Sequence, residues 1–225
     1  IPNSTKGWSN IFKIYKNYCQ GAEHINCCHD WNDLLSHFCN TADTTNNNDG
    51  TIYGVTQDQP GQTGEAYEFN TNANRVDLGT VNLGHPLMLN SSDVTISAWV
   101  YFEGKGDDWQ RIFSKADGQN ANHGYELGIH PTNNNVYVWS NGTYVNGGNI
   151  PNDAWTHVVA IWYENDNKTD IFINNQKTEL GSLPSIPKEE TDARIGNWHD
   201  PGSRDFNGKI DNIRVYSHAL NSQKV

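Results

Sequence analysis

Basic residues, methionine and long apolar runs are all scarce in this chain of 225 residues. Lys and Arg number 15 against 26 Asp and Glu, a formal net charge of −11. That balance argues against nucleic acid or an anionic membrane as the main partner, since both require a basic surface. No apolar stretch approaches the roughly 20 residues that a spanning helix needs, so membrane insertion is not expected. Cysteine is absent after Cys39, and no G-x-S-x-G, HExxH or P-loop motif occurs anywhere, which removes the most direct sequence arguments for an enzyme. No signal peptide is evident, and a chain starting at Ile1 rather than Met is expected to carry a processed, mature terminus. Aromatic residues are plentiful, with 8 Trp and 10 Tyr against a single Met. That composition suits a β-rich core and equally a surface on which sugars stack.

All four cysteines, Cys19, Cys27, Cys28 and Cys39, fall within one short segment. An even, clustered set predicts two disulfides and an oxidising compartment, hence a secreted, extracellular protein. Cys27 and Cys28 are adjacent, so a bond between them needs a strained ring, and pairings of Cys19 and Cys39 with one each of the central two are expected. Zinc held with His24, His29 or His37 is the rival reading; adjacent cysteines without a CxxC spacing argue against it. Around the cysteines, Trp8, Ile11, Phe12, Tyr15 and Tyr18 recur at helical spacing, as do Trp31, Leu34, Leu35 and Phe38, with Asp30 as N-cap and Asp33 in the first turn. Residues 1–40 are therefore read as a disulfide-stapled helical hairpin whose apolar stripe packs on the following domain or docks a second protomer. Sequons at Asn3, Asn90, Asn141 and Asn167 mark potential glycosylation, although 31 Asn residues make about four matches expected by chance.

From residue 41 the pattern becomes period two. Val94, Ile96, Ala98, Val100 and Phe102 alternate with Thr95, Ser97, Trp99 and Tyr101, the mark of a strand with two distinct faces. Ala154–Glu164 and Asp170–Asn174 read as a hairpin around the turn Asn165–Lys168, and Val136–Ser140 as a strand bounded by Asn133–Asn135 and Asn141–Gly142. Many short strands between Asn/Gly turns predict an antiparallel β-sandwich over residues 41–225.

The ordered blocks Asn46–Gly54, Gly64–Gly79, Val94–Glu103, Ala154–Gln176 and Asp205–Leu220 resemble the laminin-G-like, concanavalin-A-type jelly-roll domains of extracellular proteins, over residues 41–220. The resemblance implies a mostly β, antiparallel jelly-roll sandwich. It also implies a structural Ca²⁺ held by Asp43, Asn48 and the neighbouring Asx loop, the carbonyl near Gly50, and Asp211 in the last strand. An Asx-rich loop plus a carboxylate matches the six to eight oxygens that calcium takes. This chain has ADTTNNNDG, one or two glycines short of the loop usual in the family, which leaves Asp43 and a neighbouring carbonyl as alternatives for the first ligand.

The residues themselves suggest a glycan-binding surface. Trp99 and Tyr101 share one strand face, Tyr137 and Trp139 another, and Trp162 lies on a third strand, although for any single one of these core packing is the stronger expectation. Trp109, Tyr144 and Trp198 sit in polar surroundings that give them less reason to be buried, with Asp107, Asp108, Asn197, His199 and Asp200 as hydrogen-bonding partners. Trp155 is expected in the core, and His157 in a cross-strand contact. A glycosidase of this fold would need two carboxylates at a set separation; Glu164 and Asp166 are the nearest pair, in a segment that reads as a turn. The expected function is thus non-catalytic recognition of glycans or a glycosylated surface by a lectin- or adhesion-like module. The alternative is a self-assembling extracellular subunit joined through residues 8–38 or sheet edges.

Overall fold

A computed structural model describes residues 11–13, 50–82, 85, 87–88, 93–104, 108–116, 124–184, 186–187, 189–199 and 204–221. Their strands, in chain order, begin with β1 (Ile11–Lys13), β2 (Thr51–Tyr53), β3 (Thr56–Pro60), β4 (Glu65–Phe69) and β5 (Arg75–Val81). There follow β6 (Val94–Phe102), β7 (Gln110–Ala116), β8 (Gly124–Ile129), β9 (Asn135–Ser140) and β10 (Thr143–Asn149). The last are β11 (Trp155–Tyr163), β12 (Lys168–Ile173), β13 (Gln176–Ser182), β14 (Thr191–Ile195) and β15 (Gly208–Tyr216).

All pairings are antiparallel and build two sheets. One runs β13-β12-β11-β6-β15-β4-β3, with β1 also on β15; the other runs β10-β9-β8-β7-β14-β5-β2. Neighbours far apart in sequence, such as β6 with β15 and β7 with β14, show the crossing connections of a jelly roll. The alternation read in β6 is what closes the sandwich: Val94, Ile96, Ala98, Val100 and Phe102 are all at most 2% exposed. From the other sheet Val76, Phe113, Leu127, Val138 and Ile195 meet them in one core. Each fully buried aliphatic contributes about 1.5–3 kcal/mol relative to exposure.

Asn residues end the strands where the alternation predicted turns. Asn134 and Asn141 flank β9 with φ of 53° and 46°, and Asn167 precedes β12 at 50°, a left-handed conformation that Asn tolerates better than most side chains. Asn141 and Asn167 are both exposed, so both sequons lie on the surface; Asn3 and Asn90 fall outside the described residues.

The helical reading of the N-terminal segment fails where it can be checked. Ile11–Lys13 is a strand, with Ile11 opposite Tyr216 and Lys13 opposite Arg214. The pairing of β15 with β4 covers Gly208–Ile210, which leaves its second half open on that side. An open ladder edge supplies backbone partners that override a weak i,i+4 pattern. The other residues of the supposed hairpin, and Cys19, Cys27, Cys28 and Cys39, lie outside the described residues.

Two aromatics of β11 take opposite sides, one as core packing predicts and one as a correction. Trp162 belongs to the core, 2% exposed and edge-on to Tyr125 at 6.0 Å. Trp155 instead lies on the outer face of its sheet, because it shares the register of Tyr101 and Trp99 rather than that of Val158 and Ala160; it is half-buried against Tyr101 at 5.6 Å.

Candidate functional site

The sandwich separates the candidate aromatics into two groups. Trp99 and Tyr101 point outward from the eight-stranded sheet, whereas Trp139 and Tyr144, opposite each other in register, point outward from the seven-stranded sheet. Trp109, just before β7, joins the second group. Its ring lies 4.5 Å from His130, 4.8 Å from Tyr137 and 5.0 Å from Tyr144, centroid to centroid, and edge-on to each. Tyr144 is 45% exposed, so this cluster opens to solvent. Tyr137 forms its floor, wholly buried. Room for that phenol comes from Gly128 across the ladder, where a Cβ would stand 2.7 Å from the Tyr137 ring and hydroxyl.

Beside the aromatic cluster lies a row of side chains whose middle, Glu126, Ser114 and Arg194, is polar and buried, which is unusual on an outer sheet face. Register places Trp139, Glu126, Ser114, Arg194 and Asp77 side by side across β9, β8, β7, β14 and β5. Glu126, 2% exposed, accepts from Arg111 Nε at 2.9 Å and Nη2 at 2.8 Å, from Ser114 Oγ at 3.1 Å and from Tyr137 Oη at 3.4 Å. Burial works against the Arg111 charge, but Tyr137 and Glu126 beside it outweigh that effect and hold its pKa above the ordinary value. Burial pushes the Tyr137 pKa far up, so the phenol stays a neutral donor. Ionic groups buried this thoroughly persist only when each hydrogen-bonding position is met.

Two loops frame this floor, and both are anchored through backbone groups. Asp108 accepts from the Trp109 amide at 2.7 Å through Oδ1 and from the Arg204 amide at 3.0 Å through Oδ2. After β14, Gly196 turns with φ of +79°, and a Cβ there would meet the Phe69 ring at 2.2 Å. The turn presents Trp198, whose carbonyl accepts from Arg194 Nη1 at 2.9 Å, and His199, whose carbonyl accepts from the same nitrogen. Asn197 is wholly buried and donates to Asp205, which makes it a positioning residue rather than a ligand contact. Asp107 and Asp200 lie outside the described residues.

Residues 70–225 match the family described as the concanavalin A-like lectin/glucanases superfamily, Laminin_G_3. The chain belongs to this family. Among curated proteins no sequence match was found. Solved structures share the fold at low identity. Domain 4 of an extracellular arabinanase from Geobacillus stearothermophilus, in complex with arabinotriose, has 22% identity and a TM-score of 0.62 over 82% of this chain and 90% of that one. The CBM40 of the Ruminococcus gnavus IT-sialidase, bound to alpha2,3 sialyllactose, has 11% identity and a TM-score of 0.56 over 69% and 92%. A Trypanosoma rangeli sialidase has 14% identity and a TM-score of 0.61 over 81% of this chain but 29% of its own length. Compared with that sialidase, this laminin-G-like domain spans less than a third.

The opposite face of the laminin-G-like domain holds Trp99 against His157 at 5.0 Å and Tyr101 against Trp155. His157 meets Ser97 Oγ at 2.9 Å through Nε2 and Asn175 Oδ1 at 3.4 Å through Nδ1. Nucleophile, base and orienting amide thus follow in the order of a hydrolase, but Ser97 lies mid-strand between β11 and β15. The ladders on both sides engage the amides that an oxyanion would require. Glu164 accepts from the Ile186 amide at 3.0 Å, and Asp166 is 61% exposed beside Lys168 in the β11–β12 turn, an arrangement of turn residues rather than of an acid and its base.

Asp211 also faces outward from the eight-stranded sheet. Its Oδ2 accepts from the Thr63 amide at 3.0 Å and its Oδ1 from Asn212 Nδ2 at 3.0 Å. Burial raises its pKa, and these hydrogen bonds oppose the rise. Gly50 packs closely on Val76 and Leu78, while Asp43 and Asn48 lie outside the described residues. No group of three or more His, Cys, Asp or Glu side chains suited to a metal occurs among the described residues. Asp211 is therefore one acceptor already serving a turn, well short of a calcium shell by itself.

Proposed function

We propose that this domain binds carbohydrate without catalysis, on the outer face of the seven-stranded sheet. The observation that carries the reading is the cluster of Trp109, His130, Tyr137 and Tyr144, open to solvent through Tyr144 and held from below by the buried Glu126–Arg111 pair. Sugar C–H faces stack on Tyr144 and the edge of Trp109, Trp198 bounds the site, and Asp108, His130 and His199 read hydroxyls. Likeness of fold to carbohydrate-binding modules supports the class of ligand. The two ligands named with those structures, arabinotriose and sialyllactose, are chemically different, so fold alone selects neither.

The same reading includes secretion, with two disulfides among the N-terminal cysteines, and a structural Ca²⁺ shared between Asp211 and the Asp43–Gly50 loop. A glycan array of the intact chain, with and without EDTA, tests it. Trp109→Ala and Tyr144→Ala should each weaken any glycan bound by about tenfold or more, since truncated aromatic anchors dominate such contacts. Removal of a structural calcium by EDTA should lower the melting temperature. A blank array from folded, calcium-loaded protein would overturn the reading.

A further inference from the structure

We infer that the sugar taken by this site carries an anionic group, a carboxylate or a sulfate ester, and that Arg204 recognises it. The inference rests on the carbohydrate reading and deepens it. Arg204 has φ of 60°, a left-handed conformation that costs an ordinary residue about 1–2 kcal/mol and persists only where the surroundings over-determine it. They do so here. Its amide donates to Asp108 Oδ2 at 3.0 Å, and its carbonyl accepts from the Arg111 amide at 3.2 Å. The β14–β15 loop is thus clamped at Arg204 to the segment that leads into β7, where Asp108 carries Trp109 on its other oxygen.

That clamp places the guanidinium 3.9 Å from the centroid of Trp198. Stacking uses the face of a guanidinium and leaves its planar fork of N–H donors free for a carboxylate or sulfate. Arg111, the other guanidinium beside Trp198, is fully matched by Glu126. Arg194 faces Asp77 and Asp192. The Arg204 side chain, half-buried, makes no ion pair or hydrogen bond with any described residue. Arg75, the fourth described arginine on this face, faces Asp77 and donates to the Ala73 carbonyl; among the four, Arg204 alone forms no ion pair with a described residue, and it stands at the rim of the aromatic cluster. Asp108, the acidic neighbour, has both oxygens on backbone amides.

The test is the affinity of matched pairs for the intact chain: methyl glucuronide against methyl glucoside, N-acetylneuraminic acid methyl glycoside against its methyl ester, and galactose 6-sulfate against galactose. In at least one pair the anionic member should bind about tenfold tighter, the scale of a charge-assisted hydrogen bond, and the preference should shrink as salt rises. The pair that discriminates says whether the group is carboxylate or sulfate. Arg204→Gln should erase the preference and leave the affinity of the neutral member intact, with Arg204→Lys partly restoring it. Equal affinity within every pair, or a preference that survives Arg204→Gln, overturns this inference and leaves the carbohydrate reading standing. If wild-type protein binds no saccharide of any pair and none on the array, both fall. The comparison on wild-type protein decides the matter even if a variant fails to fold.

Discussion

Replacing Glu126 with Gln should unfold this domain more readily than any exposed substitution, because it removes a charge and leaves its partner in place. The carboxylate is 2% exposed, and both the Nε and the Nη2 of Arg111 donate to it. Arg111 is itself 4% exposed, so without Glu126 a guanidinium stays out of water with no counter-charge. Breaking a buried pair from one side costs about 3–5 kcal/mol. With its carbonyl in the place of Oε2, Gln still accepts from Tyr137, and its amide can donate to the Ser114 hydroxyl, which places the expected loss near 3 kcal/mol, the low end of that range. With a urea slope of roughly 2 kcal/mol per molar, the midpoint should fall by about 1.5 M at unchanged slope. Arg111→Met combined with Glu126→Gln should be less destabilised than the two single losses added together, since neither charge is then stranded. Strict additivity, or single losses below about 1 kcal/mol, would refute the claim that this pair is desolvated and mutually dependent.

Lys115 is 1% exposed, and burial, opposed by the charge of Glu189, pulls its pKa from 10.5 to about 8. A lowered folded-state pKa means that the unfolded chain binds more protons between pH 8 and 10.5, so stability should rise with pH across that window. Below pH 8 the full cost of roughly 3 kcal/mol applies; Lys115→Met should remove this slope, and equal slopes in urea melts of both proteins would contradict it. Gly196→Ala combines a φ of +79° with a methyl 2.2 Å from the Phe69 ring, for an expected loss of about 2–4 kcal/mol and weaker glycan binding as Trp198 shifts; a wild-type melting curve would rule out that clash. Trp99→Ala should leave glycan affinity unchanged, because Trp99 faces outward from the other sheet; a loss as large as that of Trp109→Ala would place the ligand on the wrong face.

Much of the architecture was legible in the sequence because period-two alternation and Asn turns are local signals. The β6 alternation and the β11–β12 hairpin needed no distant information. Ile11–Lys13 was misread for the complementary reason: its conformation is set by the open half of β15, some 200 residues away. Trp155 and Trp162 show a subtler limit. Both lie in one strand, and which points inward depends on a register one residue apart. Trp162 sits an even number of positions from Val158 and Ala160, whereas Trp155 pairs with Tyr101 on the outside. Counting along the strand does not settle it, because Val159 and Ile161 are buried on the side of Trp155 as well.

The candidate site was half legible for a related reason. Aromatics in polar loops draw notice singly, so Trp109, Tyr144 and Trp198 were found, but Trp99 and Tyr101 were grouped with them although a sandwich has two outer faces. Arg111, Glu126, His130 and Arg204 were missed. Glu126 did leave a signal, as a lone carboxylate inside the apolar run of β8; such a residue has to find a cation across the ladder, and Arg111 and Ser114 on the neighbouring strand were its available partners. Arg204 left none, since its role comes from a left-handed backbone clamped by Asp108, almost 100 residues earlier. A strained residue held by the segment before β7, with its guanidinium in no ion pair with a described residue, is hard to explain by folding alone: folding would relax the strain or pair the charge, whereas a ligand that completes the pair accounts for both.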